Sequence, residues 1–343
     1  MKRWLLAGIL GLAALGVMGF SQALGTAERP IIMLFVPSVK VDVIQEVGPK
    51  IAEALSQMTG LVIKPVIAAD YAAFIEAMIT AKGDTFGVPT TDQYCRITLE
   101  NPGVHARLAA VRQGYPYYFA SIYALREKGY KSVYDLQGKV WAFSSTRSTS
   151  GYVIPKKYFD QLGLTFAEEK AVGTHANALI AVLEGQADFC TGYGSPPLPP
   201  DTIAEALRAA GWRWEFGMDP ELWLWDRWNN DLYPEGIRGH CRDLRYAIAT
   251  EVKVYGDIWE LVKKVGIVDV VGPMPNDCIA FSAGFPKDLE DLIVQAIIQH
   301  IRSPEGLALW SRPGFYEWYD VAEIDDSFYD SYRQLVGYPI PQR

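Results

Sequence analysis

The stretch "SSTRSTSGYVIP", residues 144–155, sets six hydroxyl side chains and one arginine ahead of Gly151. Serine and threonine make poor helix interiors but good N-caps, because their oxygens take local backbone donors. An ordinary cap needs only one hydroxyl. With the strand-like "VWAFS" before it and a helix-compatible run after it, the stretch has the order strand, hydroxyl cluster, helix. Unpaired amides and the positive end of the helix dipole make such a place a seat for an anion. Ser148, Thr149 and Ser150 add short donors without the bulk of lysine, and Gly151 lets the backbone come close. Pro155 falls about one turn in, where its missing amide costs least. Arg147 either adds charge to the seat or points to solvent beside it. The simpler alternative is a plain cap with surplus serines. A P-loop is ruled out, since no Gly-Lys-Ser/Thr ending is present.

His175, in "GTHANALIAVLEG", is expected in the first turn of a helix capped by Thr174. The dipole there disfavours the imidazolium, so the ring should be neutral near pH 7 and donate one hydrogen bond. Aimed into a cleft it would meet an oxyanion; otherwise it is a surface residue. A serine hydrolase would pair Ser148 or Ser150 with His175 and an acid such as Asp277. No GxSxG elbow frames either serine, which weakens that alternative.

The elements around these residues alternate. "IIMLFVPS" reads as a strand, residues 43–58 as an amphipathic helix closed by Gly60, and "LVIKPVIA" as the next strand. Asp70 caps a helix running to Lys82, and "DTFGV" begins a strand. This alternation predicts an α/β fold with largely parallel pairing. Two 19-residue segments, 70–88 and 174–192, repeat one pattern of cap, helix, glycine stop, aspartate and strand, as two similar lobes would. "GYPYYFASIYAL" (114–125) suits a strand crossing between lobes, and "GPMPNDCIAFSAGFP" a second crossing. A helix over 287–301 then belongs to the first lobe. The Trp-rich run 211–230 is either a local core or a wall against an organic substituent.

Half of the 343 residues are hydrophobic, enough for a substantial core. Lys2 and Arg3, an apolar run from Trp4 to Phe20 and the small residues of "SQALGTA" read as a signal peptide over 1–25, cut after Ala23 or Gly25. The run is short for a membrane anchor. The mature chain then carries 30 basic against 40 acidic residues, the wrong sign for nucleic acid or an anionic membrane. Cys95, Cys190, Cys241 and Cys278 form no CxxC pair, so a zinc ribbon is excluded. Disulfides and free buried thiols both remain open, and Cys190 and Cys278 fall near segments expected to face the cleft.

The runs "DYAAFIEAM", "YYFASIYAL…VYDLQGKVWAFSSTRSTSGYVIP", "GTHANALIAVLEGQADF" and "GPMPNDCIAFS", in that order over about residues 30–305, resemble the phosphate/phosphite/phosphonate-binding proteins of ABC transporters. The most specific piece is "STSGYVIP". The resemblance implies a type II periplasmic-binding-protein fold: two α/β lobes with mixed sheets joined by a two-strand hinge. Residues 26–116 plus 282–343 would form lobe 1 and 117–281 lobe 2, with hinges near 115–120 and 278–283. It further implies that Ser148, Thr149 and Ser150 hold phosphonate oxygens, that Tyr118 lines the pocket, that His175 is the pocket histidine, and that Asp277 can meet a ligand amine. Thr90, Arg147, Gly151 and Tyr193 complete the candidate ligand-binding set. Two positions depart from the family. "CTGYGSPP" lacks the carboxylate found there in binders of amino-bearing phosphonates, and Val88, Pro89 and Thr90 replace a common aromatic. The expected protein is an exported, non-enzymatic solute binder. Its partners are a small oxyanion and the transmembrane subunits of an ABC permease; no cofactor, metal or nucleic acid is expected, and the state is monomeric. The same fold holding a different organic anion or heterocycle, or a sensory binding module, is the alternative.

Overall fold

The structure is a computed structural model that describes residues 23–341; most of the signal peptide expected over 1–25 lies outside the described residues. Its strands are β1 (Ile31–Phe35), β2 (Ile63–Ile67), β3 (Thr85–Val88), β4 (His105–Val111), β5 (Tyr117–Leu125), β6 (Val140–Phe143), β7 (Glu168–Ala171), β8 (Phe189–Gly194), the short pair β9 (Trp225–Asp226) and β10 (Asp231–Leu232), β11 (Val265–Pro275), β12 (Cys278–Phe281) and β13 (Asp320–Glu323). The helices that bear on the site are α1 (Val41–Thr59), α2 (Tyr71–Thr80), α3 (Thr91–Glu100), α4 (Ile154–Gln161) and α5 (His175–Leu183).

Two sheets organise the chain. Six strands run in the order β13-β4-β12-β3-β1-β2, and five in the order β11-β5-β8-β6-β7. Pairing is parallel where β1 meets β2 and β3, and where β6 meets β7 and β8. It is antiparallel wherever β4, β5, β11, β12 or β13 takes part, so the sheets are mixed and not largely parallel. The antiparallel strands are those that cross between the sheets or return to the first one near the C-terminus, and such returns need no helical crossover.

Local chemistry accounts for the elements. In α1, Ile44, Val47, Ile51 and Leu55 recur at helical spacing and are all buried. The helix ends at Gly60, whose φ of 73° is left-handed and whose amide reaches the Ser56 carbonyl. Asp70 caps α2 by accepting from the amides of Ala72 and Ala73, and Thr174 caps α5 by accepting from Asn177. The two repeated segments therefore occupy matching places: α2 feeds β3 in the first sheet, and α5 feeds β8 in the second. The helix Lys287–Ile301 buries Ile293, Val294, Ile297 and Ile301 and packs on α1.

Two expectations need correction, and one open alternative is resolved. Strand β12 pairs with β3 and β4, so residues 278–281 belong to the first sheet. The return crossing lies at Asn276 and Asp277, ahead of the expected 281/282 boundary and the 278–283 hinge. Backbone pairing between distant strands moved it, and no local residue type announces that. Residues 24 and 25, expected to be outside the fold, are part of it: Leu24 packs on the core and the Gly25 carbonyl accepts from Val62 at 2.7 Å. The alternative concerns the Trp-rich run, read as either a local core or a wall. Trp214 is fully buried against Phe119 and Tyr115, Trp225 packs with Leu224, Cys241 and Val262, and Trp228 is exposed. The run is a local core with an exposed tip, and none of its tryptophans lines the cleft between the sheets. Beneath it the fully buried Glu221 accepts from Arg126 at 2.7 Å and from Arg245.

All four cysteines are buried and free. Neither Cys190 nor Cys278, placed near the cleft by sequence, lines it; both face sheet cores. Among the described residues, no helix is long and apolar enough to cross a membrane.

Candidate ligand-binding site

Strand β6 delivers the chain to Ser144 at the mouth of the cleft, and the hydroxyl run turns there into a helix. The turn is wider than an α-turn. The amides of Tyr152 and Val153 both reach the Ser148 carbonyl, at 2.9 and 3.0 Å, so residues 149–153 form one π-helical turn before α4. Pro155 stands in the first turn of α4, and the Gly151 carbonyl one turn back, which its missing amide leaves free, accepts from the Thr191 hydroxyl. Ser148 is the cap, its Oγ accepting from the Gly151 amide at 3.1 Å. Gly151 is required by space: a Cβ there would lie 2.7 Å from Ser144 Oγ and 2.8 Å from Ser148 Oγ. Ser148, Thr149 and Ser150 are each only 4% exposed, so these hydroxyls are packed into a wall.

The wall encloses a cavity of about 230 Å³ between the two sheets. Ser148, Thr149, Ser150, Tyr118, His175, Thr90, Tyr193 and Asp277 all line it. Gly151 sits immediately behind the serines. Arg147 is exposed and does not line the cavity, its amide accepted by Ser145 Oγ at 3.2 Å; of its two alternatives, solvent is the one observed.

His175 opens α5, and its Nε2 lies 3.2 Å from Ser148 Oγ. Burial, helped by the positive charge of Arg242, lowers its pKa to about 4, so the ring is neutral at ordinary pH. The neutral state was expected from the helix dipole; burial is the larger cause. His175 Nδ1 and Ser144 Oγ are buried without a hydrogen-bond partner in the protein. Two unpaired polar atoms in one cavity wall cost stability unless something fills them. The ring of Tyr193 stands edge-on to His175 at 5.3 Å. Tyr118 places its hydroxyl beside Thr91 and Thr149, and burial pushes its pKa well up, so it remains a donor. Tyr71, next to Ser38, behaves likewise.

Sequence reasoning missed the arginines. Arg112, 5% exposed, donates from Nε to the Tyr316 carbonyl at 3.1 Å, from Nη1 to Asn276 Oδ1 at 3.1 Å, and from Nη2 to Asp277. Arg242, 8% exposed, donates to Glu317 Oε2 at 2.6 Å and lies 4.9 Å above the Tyr193 ring. With Lys40 the cavity has three cations against the carboxylates of Asp277 and Glu317, a net positive charge that suits an anion. Arg112 follows β4 directly, just before the crossing, and "PND" supplies its partners, a pairing visible in sequence only once the crossings are aligned. Nothing local marks Arg242 or Glu317.

The arrangement also weighs against hydrolysis. Ser148 and His175 do make a nucleophile–base pair in distance, but Asp277 is bound by Arg112 and no acid orients His175 Nδ1. An imidazole with a pKa near 4 is a weak base at neutral pH. Two contacts bridge the sheets across the cavity. The Asp92 amide on α3 donates to Thr149 Oγ1 at 3.3 Å, and Arg242, beside β8, donates to Glu317, ahead of β13.

Comparisons with known proteins fit this geometry. The profile of the family described as "ABC transporter, phosphonate, periplasmic substrate-binding protein" matches residues 33–329. No curated protein matches the chain. Among solved structures, a binding protein component of an ABC phosphonate transporter from Pseudomonas aeruginosa is similar with a TM-score of 0.61 at 15% identity, covering 89% of this chain and 85% of its own. A protein of Prochlorococcus marinus, PhnD1, solved with methylphosphonate, has a TM-score of 0.60 at 12% identity, covering 89% and 96%. A Xanthomonas citri protein solved with ATP has a TM-score of 0.59 at 13% identity, covering 90% and 95%. These likenesses establish the type II periplasmic-binding-protein fold.

Proposed function

The chain belongs to the periplasmic substrate-binding proteins of phosphonate ABC transporters, which bind and do not transform their ligands, and on that premise we propose that it is exported and captures a small phosphorus oxyanion in its cleft. A phosphonate, phosphite or phosphate ester is the ligand class. Two lobes built on the two sheets close over it, hinging at residues 112–116 and 276–277, and hand it to the transmembrane subunits of an ABC permease. The observation that carries the reading is the convergence of Ser148, Thr149, Ser150, Tyr118 and His175 on one cavity that also holds unpartnered Ser144 Oγ and His175 Nδ1. Short donors fit the oxygens of a tetrahedral anion, and in a closed, low-dielectric cleft each such bond is stronger. The export part of the proposal is supported by the signal-peptide pattern read over residues 1–25. Of the two cleavage points, the one after Ala23 keeps the contacts of Leu24 and Gly25 with the fold. The protein acts as a monomer in this scheme.

A thermal-shift screen of the mature protein with phosphite, methylphosphonate and phosphate tests the reading. At least one should raise the melting temperature in a concentration-dependent way, because a ligand bound only by the folded state stabilises it. No shift with any of them, but a shift with a carboxylate or sulfonate panel, would transfer the site to a different organic anion. The absence of a carboxylate in "CTGYGSPP" keeps that second reading in view.

A further inference from the structure

A second chamber, of about 350 Å³, lies against the first. The two share Arg242, and the chain alternates across their common wall. Arg112 faces the first chamber and Gln113 the second; Ala247 faces the first and Tyr246 the second; Glu317 faces the first and Tyr319 the second. The second chamber is mostly apolar and aromatic, with Leu198, Cys241, Tyr246, Ile258, Trp259 and Tyr319 in its lining. Gln113 Oε1 is buried without a hydrogen-bond partner.

The wall is held in an unusual backbone. Gln113 and Glu317 both have φ of 53°, a left-handed conformation that costs a non-glycine residue free energy. At Gln113 the strain comes from the tight turn 112–115, in which Arg112 and Tyr115 exchange both backbone hydrogen bonds. The turn sends the Arg112 and Gln113 side chains to opposite sides. At Glu317 the same conformation brings the carboxylate to Arg242.

We propose that the second chamber is the substituent subsite of this binding protein. It would take the apolar chain or ring of an organophosphonate or phosphate ester whose oxyanion is held at Ser148–Ser150. The inference rests on the oxyanion reading above. The Arg242–Glu317 pair forms the threshold between head and tail, and Arg242, stacked on Tyr193, lines both chambers. The ligand is then an amphiphilic monoester or alkylphosphonate, and neither free phosphate nor an amino-bearing phosphonate fills the site.

Titration calorimetry of the mature protein with phosphate, methylphosphonate, n-butylphosphonate and n-octylphosphonate tests this. Affinity should rise along the alkyl series, by about three- to fourfold for each methylene that passes the threshold. Tyr319→Ala, at a partly exposed lining position, should cut the octylphosphonate gain at least about threefold and leave methylphosphonate unchanged. Ile258→Trp, which fills the chamber from the start of a helix, should do the same by exclusion. Affinity that is flat or falling with chain length overturns the inference and leaves the oxyanion site standing. So does a gain that neither variant touches. If no phosphorus oxyanion binds at all, the oxyanion reading falls and takes this one with it.

Discussion

Ser148 does two jobs at once: its Oγ accepts from the Gly151 amide and sits 3.2 Å from His175 Nε2. Its side chain is therefore oriented before any ligand arrives, which lowers the ordering cost of binding. Thr149 is similarly engaged by the Asp92 amide. Removing either hydroxyl strands an anionic acceptor in a buried site. Ser148→Ala and Thr149→Ala should each weaken the best phosphorus oxyanion by about 1–3 kcal/mol in titration calorimetry; unchanged affinity in both would speak against their role. His175 makes a pH prediction. With its folded pKa lowered to about 4 from 6.5, the unfolded chain binds more protons than the folded one between those values. Stability attributable to His175 is complete above about pH 6.5 and is lost as pH falls toward 4. Urea titrations at pH 7, 5.5 and 4.5 should show a smaller acid loss in His175→Gln than in the unaltered protein. The hydroxyl triplet and the histidine were legible in sequence because caps and first turns have local signatures. Arg112, Arg242 and Glu317 were not, because what makes them site residues is burial against chain segments 70–200 residues away.

At the scale of elements, the strand–π-turn–α4 unit is the device that presents the hydroxyls. Its tightness is set by Gly151, over which the oxygens of Ser144 and Ser148 close. Gly151→Ala must push Ser148 Oγ from its bond to the Gly151 amide. It should cost about 1–3 kcal/mol in chemical denaturation and weaken oxyanion binding as well. Caps and stops were readable: Asp70, Thr174, Gly60 and the helix Lys287–Ile301 stand where their residue types put them. The π-turn was not, since an extra residue in a helical turn leaves no mark on composition. Nor was the place of β12, which is fixed by backbone bonds to β3 and β4.

At the scale of the molecule, the cleft is the space left between two mixed sheets, and contacts from both reach across it through Asp92–Thr149 and Arg242–Glu317. The four thiols lie in the cores on either side, away from the cavity, and burial pushes them all to high pKa. A thiol reagent should therefore find almost no reactive cysteine in the native protein and four after denaturation without reductant. Fewer than four would reveal a bridge. The central claim is that Ser148–Ser150, with the first amides behind them, grip the oxygens of a phosphorus oxyanion. A crystal structure of the mature protein soaked with methylphosphonate addresses it most directly. The account predicts phosphorus density within hydrogen-bond reach of Ser148, Thr149 and Ser150, with His175 or Ser144 completing the shell. Density for the anion elsewhere in the cleft, with those three hydroxyls making only protein contacts, would contradict it.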